Sequence, residues 1–124
     1  IGLPALTRAE KLQKRAARSG FDWAEIGPVL EKLEEELGEL KAEINDGGAP
    51  ERLADEMGDV LFSVVNLARH LELDPEDALR GTNAKFVRRF KYVETSIRDD
   101  GQKLEKVGLD VLEQRWQQAK KRGL

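Results

Sequence analysis

The sequence predicts an all-α fold, an antiparallel bundle of about five helices, on three observations. Apolar residues recur at three- and four-residue spacing along most of the 124 residues, the period of helices that each bury one face. Helix punctuation brackets those stretches, with Asp22, Pro28, Pro50 and Asp74-Pro75 near starts and Gly20, Asp46-Gly47-Gly48 and Gly101 at ends. Composition agrees: 40% apolar and 36% charged, with 6% aromatic residues and four prolines, suits a helical bundle better than a sandwich or barrel.

Thr7 with Glu10 reads as a capping box opening a first helix that runs to about Ser19, with Ala9, Leu12 and Ala16 as a narrow apolar stripe. Asp22 with Glu25 is a second capping signal, leading through Pro28 into a long helix that ends near Asn45. Its expected buried seam is Ile26, Leu30, Leu33, Leu37, Leu40 and Ile44. A third helix runs from about Pro50 to Leu71. Met57, Val60, Leu61, Val64, Val65 and Leu67 cover well over half its circumference, more than one neighbour would bury. Its second cover is expected from another copy of the chain, a homodimer. Asp74-Pro75 opens a fourth helix with Leu79, Phe86, Phe90, Val93 and Ile97 inward, ending at Asp99-Asp100-Gly101. A fifth, from about Asp110, carries Leu112, Trp116 and Ala119.

With no cysteine, disulfides, zinc-thiolate sites and thiol nucleophiles are excluded. No apolar run approaches the roughly 20 residues that span a bilayer and no signal-peptide pattern opens the chain, so a cytoplasmic protein with no membrane or nucleic-acid partner is expected. Residues 1–6 read as a linker entering a single domain at 7–124, which leads one to expect a preceding domain. The net charge of −3 is unevenly spread. Residues 1–79 hold 9 Lys+Arg against 18 Asp+Glu, and residues 80–124 hold 12 against 6. Such halves complement each other in a fold, or hold metal ions on one side of a site and phosphates on the other.

The acidic half contains a repeat. Leu33-Glu34-Glu35-Glu36-Leu37-Gly38-Glu39-Leu40 aligns without gaps on Leu53-Ala54-Asp55-Glu56-Met57-Gly58-Asp59-Val60. Residues three apart are neighbours on a helix, so Glu36 pairs with Glu39 and Glu56 with Asp59. If the two seams face each other, both pairs border one interface and four carboxylates converge. Like charges that close need a compensating cation, and all-oxygen ligands select hard ions, Mg²⁺ first with Mn²⁺ as a substitute. Each mid-helix glycine costs up to about 1 kcal/mol relative to alanine, a cost explained if Gly38 and Gly58 admit a close approach. A single E-x-x-E is most often a solvated flank; two aligned copies favour a metal site.

The basic half offers phosphate ligands. Lys85 and Arg89, four apart, share a helix face with Asn83 just before them, although a solvated basic face gives the same spacing. Trp116 fits either core or a base-stacking platform, Trp23 is equally ambiguous, and His70 is given no catalytic role.

At these residues the chain resembles the MazG family of nucleoside triphosphate pyrophosphohydrolases, within an all-α superfamily that includes dimeric dUTPases and phosphoribosyl-ATP pyrophosphohydrolases. The family signature, E-x-x-E, a spacer, then E-x-x-D, is matched by Glu36/Glu39 and Glu56/Asp59 with sixteen residues between the pairs. Gly20-Phe21-Asp22-Trp23, Val65-Asn66-Leu67-Ala68-Arg69-His70, Asn83-Ala84-Lys85-Phe86, Arg88-Arg89-Phe90 and Trp116-Gln117-Gln118 look like the second domain of tandem MazG proteins. The resemblance implies an intertwined homodimer and Mg²⁺-dependent hydrolysis of nucleoside triphosphates to monophosphate and pyrophosphate. It makes the four acids metal ligands and catalytic residues, and makes Lys85, Arg89, Trp116, Asn83 and Arg52 substrate contacts. Glu39 is taken as the general base on a separate ground, that some carboxylate must orient the water rather than only hold metal. A broad base range is expected; a relative specific for dUTP, dCTP or phosphoribosyl-ATP and a non-catalytic dimerisation or adaptor module are the alternatives.

Overall fold

The structure, a computed structural model, describes residues 2–124. It contains α1 (Ala5–Arg18), α2 (Ile26–Asn45), α3 (Pro50–His70), α4 (Pro75–Asp99) and α5 (Leu109–Lys121), with a 3-10 turn at Leu104–Lys106 before α5. No strand occurs among the described residues, and no described helix is long and apolar enough to cross a membrane. Two compact units divide the chain, Ile1–Ala78 and Leu79–Leu124.

In the first unit α1 begins earlier than the expected capping box. Pro4 is its N-cap, with no side-chain cap, and the Pro4 carbonyl accepts the Arg8 amide at 2.9 Å. Proline fixes φ near the helical value and prepares the turn without a cap, so Thr7 lies inside the helix. Of the expected stripe, Leu12 is exposed and Ala9 and Ala16 are half-buried; the buried residue is Gln13. Its Nε2 donates to the Phe62 carbonyl at 2.9 Å, tying α1 to α3. The helix closes at Ser19, whose amide bonds to Ala16, followed by Gly20 at φ 89°.

The second capping signal is also used differently. Glu25, extended and without a side-chain bond, precedes α2. Asp22 instead takes both Arg69 Nη atoms, at 2.7 and 2.9 Å, and His70 Nε2 at 2.9 Å, and it accepts the Trp23 amide at 2.9 Å. Arg69 also donates to Asn66 Oδ1 at 2.7 and 3.2 Å. The loop between α1 and α2 is thereby fastened to the end of α3. The Arg69 guanidinium, more than any other group, holds the Asp22 carboxyl well below the usual carboxylate range, with His70 and the Trp23 amide adding to it against the cost of burial.

α2 packs chiefly on α3, and α1 on α3. The buried face of α2 differs from the expected seam. Val29, Glu36 and Leu40 are buried and Leu33 and Glu43 half-buried, whereas Ile26, Leu30, Leu37 and Ile44 are exposed. At 100° per residue the centre of the inner face is turned by about 60° from the centre of the leucine stripe, with Leu33 and Leu40 common to both. On α3, Val60, Ser63 and Val65 are buried, and Met57, Leu61, Phe62 and Val64 are open. Burying a side chain such as Val29 or Val65 stabilises by about 1.5–3 kcal/mol. The α3 terminus closes through Glu72, at φ 59°, with the Glu72 and Leu73 amides bonded to Arg69 and Ala68. Asp74 then caps α4 as expected, its Oδ1 accepting the Glu76 amide at 2.9 Å and the Asp77 amide at 3.3 Å.

In the second unit α5 returns along α4. Phe86 stacks on Phe90 with ring centroids 5.8 Å apart and meets Trp116 at 5.3 Å. Tyr92 donates its hydroxyl to Gln118 at 3.2 Å, and Arg115 pairs with Asp100. Val93, Ile97 and Ala119 are fully buried, but Leu79 and Phe86, expected on the inner face of α4, are about half exposed. α5 ends on Gly123 at φ 79°, a backbone that suits glycine, with the Leu124 amide bonded to Ala119.

A carboxylate with a depressed pKa stabilises the folded state above the ordinary carboxylate range, and that stability is lost as pH falls through and below it. Asp22→Asn should therefore lower stability at neutral pH by about 1–3 kcal/mol and flatten the acid limb of a plot of melting temperature against pH. An unchanged acid limb in the variant would show that the Asp22–Arg69 fastening contributes nothing.

Candidate metal centre and active site

The α2–α3 pairing decides where the acids meet. Because Glu36 lies on the buried face of α2 and not on a flank, its carboxylate faces α3, where Glu56 and Asp59 stand one turn apart. One oxygen from each of Glu36, Glu56 and Asp59 lies within 4.8 Å of the others. Glu36 is buried, Glu56 half-buried and Asp59 exposed, so the cluster opens outward. Glu36 Oε2 and Glu56 Oε2 are buried without a hydrogen-bond partner. Leaving such oxygens unpaired is costly, and a cation held by these residues would remove the cost. The oxygen-only donor set fits a hard divalent ion.

Glu39 stands beside this trio. A hydrogen bond to Glu36, reinforced by the charges of Glu36 and Glu56, raises its pKa above the ordinary value. That of Glu56 is raised by burial first, then by the charges of Asp59 and Glu36. One cation already answers the cluster: Lys32 Nζ lies 3.0 Å from Glu36 Oε1 and 3.3 Å from Glu35 Oε1, bonds that raise the Lys32 pKa. Sequence reasoning passed over Lys32, although its place four residues before Glu36 puts both on one helix face.

The expected substrate contacts fall in both units. Arg52, on α3, is engaged by Glu43, with Nη2 and Oε1 at 2.7 Å, and remains largely exposed. In the second unit Arg89 lies over the Trp116 ring, 5.6 Å from its centroid, and its Nε donates to the Leu124 carbonyl at 2.7 Å. Lys85 is half-buried one turn before Arg89, and Asn83 is exposed. The structure thus brings Arg89 and Trp116 together as a stacked pair.

The explanation offered for the glycines does not hold within the chain. A Cβ built on Gly38 or Gly58 meets nothing within 4 Å, so neither marks a close approach of α2 to α3. Both lie on the open side of the pair, where α2 turns its leucines outward.

A larger cavity, about 460 Å³, adjoins the cluster through Lys32, which lines it with residues of α1, the following loop and α3. An all-α protein with a carboxylate cluster on two paired helices, a lysine bound into it and an adjoining cavity has the parts of a nucleotide-processing site. The chain matches the MazG nucleotide pyrophosphohydrolase domain over residues 27–94 and belongs to that family. It is 47% identical over 120 residues to the nucleoside triphosphate pyrophosphohydrolase of Escherichia coli (strain K12), covering 96% of this chain and 46% of that protein. To the nucleoside triphosphate pyrophosphohydrolase/pyrophosphatase MazG of Thermotoga maritima it is 48% identical over 118 residues, covering 95% of this chain and 45% of that protein. The chain spans about half the length of these curated relatives.

Titration with Mg²⁺ or Mn²⁺ should raise the melting temperature of the wild-type protein, and Glu56→Gln should abolish most of that rise; a full rise in the variant would remove Glu56 from the ligand set. Gly38→Ala, which replaces the less helix-prone residue at an open position, should gain up to about 1 kcal/mol of helix stability. A loss measured in chemical denaturation would show that something other than the chain itself fills that space.

Proposed function

We propose that this domain hydrolyses nucleoside triphosphates to nucleoside monophosphate and pyrophosphate, with Mg²⁺ held by Glu36, Glu56 and Asp59 and with Glu39 beside them. The observation that carries this reading is the pair of buried, unpartnered oxygens on Glu36 and Glu56 in a chain of the MazG family. When bound, the metal supplies charge neutralisation for the triphosphate and acidifies water. The chain's own residues do the rest. Glu36 and Glu56 fix the ion's place from a packed helix pair. Glu39, hydrogen-bonded to Glu36 at the edge of the cluster, takes the proton from the water that attacks the α-phosphorus. Lys32 meets phosphate oxygens as it meets Glu36, and Lys85, Arg89 and Arg52 serve the leaving pyrophosphate. Asn83 and Trp116 complete the substrate contacts. Base range is broad in this reading.

The same reading includes a homodimer. Leu30, Leu37 and Ile44 of α2 and Met57, Leu61 and Val64 of α3 are all more than 40% exposed in the single chain, an apolar surface of the kind that a second copy covers.

Incubation of the purified protein with Mg²⁺ and a panel of ribo- and deoxyribonucleoside triphosphates should yield monophosphate and pyrophosphate from several bases. Orthophosphate with diphosphate would refute the proposed bond cleavage, a single reactive base would point to a specific relative, and no turnover would favour an adaptor. Asp59→Asn should lower kcat/KM by at least about a hundredfold, a loss of roughly 2.7 kcal/mol in transition-state stabilisation.

A further inference from the structure

The cavity of about 460 Å³ lies wholly within the first unit and is of a size that takes a small molecule. Its walls include Phe21, Trp23 and Phe62, and aromatic rings hold flat heterocycles by stacking. Two of its polar groups have their orientations fixed by bonds to neighbouring residues. Gln13 is only 6% exposed, and because its Nε2 is committed to the Phe62 carbonyl, the amide cannot flip without losing that bond. Its Oε1 is buried and has no partner, leaving a fixed, unsatisfied acceptor. Asn66 Oδ1 is likewise held by Arg69, which turns Nδ2 into the group available to donate. Lys32 lines the same cavity while bonded to Glu36, so the cavity reaches the edge of the acidic cluster.

Resting on the function proposed above, we infer that this cavity holds the substrate's base, with Gln13 Oε1 accepting a hydrogen from a base-edge N–H. Every natural nucleobase carries an N–H on its pairing edge, so a single acceptor admits all of them and still rejects a ring that lacks the donor. A buried acceptor left unpaired by such a ring remains uncompensated, which makes the discrimination larger than one hydrogen bond in water would give.

The test pairs a change in the ligand with a change in the protein. The wild-type enzyme should prefer ATP to purine riboside triphosphate, which lacks the exocyclic amine, by about tenfold in kcat/KM, and Gln13→Met should bring that ratio towards one. Inorganic tripolyphosphate, used as a competitive inhibitor, should keep its wild-type affinity in the variant. An unchanged ATP preference in Gln13→Met would overturn the inference while leaving the proposed hydrolysis intact. Should Gln13→Met fail to fold, Trp23→Leu at the partly exposed rim should raise KM for ATP and leave tripolyphosphate affinity unaltered; equal weakening of both would overturn the inference. A further readout needs no catalysis. In amide NMR spectra of the wild-type protein, AMP should shift the Gln13 side-chain signals and ribose 5-phosphate should not. That pattern in a protein without turnover would retain the base site and refute the hydrolytic reading, whereas AMP leaving Gln13 unmoved would refute the base site alone.

Discussion

The packing of α2 against α3 places a glutamate where a leucine would have been the cheaper choice. Val29 and Leu40 bury on either side of Glu36 along α2, and Val60 and Val65 bury on α3. A carboxylate in that position is tolerable only with compensation. Lys32 supplies part of it through one oxygen, and the other oxygen remains unanswered. The apolar contacts therefore hold the charges together at a cost, which is the condition for binding a cation strongly. A cluster of solvated acids would gain far less from the same ion.

Charge of the opposite sign organises the other side of the first unit. The Arg69 guanidinium holds both Asp22 and Asn66, and its fork has the geometry to do so where a lysine has not. This fixes the loop carrying Phe21 and Trp23 and also sets which way the Asn66 amide points. Cavity wall and cavity chemistry are therefore set by the same residue. Gln13 of α1 repeats the device, with the Phe62 backbone carbonyl as the anchor.

Helix number, the points where helices stop and the all-α class were legible because periodicity and the Gly, Pro and Asp-Pro signals are local properties. Asp74-Pro75 acts as it reads, since its cap depends only on the next three residues. Asp22 reads equally well as a cap and is diverted because a distant arginine competes for it, and no local pattern records that. The repeated octapeptide located the acids, but the leucine stripe misassigned the inner face: α2 is apolar on two adjacent sides, and period alone cannot choose between them. Gln13 and Lys32 escaped notice because polar side chains in a helix ordinarily face solvent; only the packing of α1 on α3 buries Gln13, and only the burial of Glu36 gives Lys32 its partner.

Glu72 is the only non-glycine residue among those described with positive φ. A side chain in the left-handed region costs roughly 1–2 kcal/mol, yet the turn forms because the amides of Glu72 and Leu73 satisfy carbonyls at the end of α3. The backbone path from α3 to the Asp74 cap is thus dictated by hydrogen bonding against the preference of the residue that occupies it. For an engineer, this corner is a reserve of thermostability, since a residue at ease in that conformation would relax the chain without touching either the acids or the cavity.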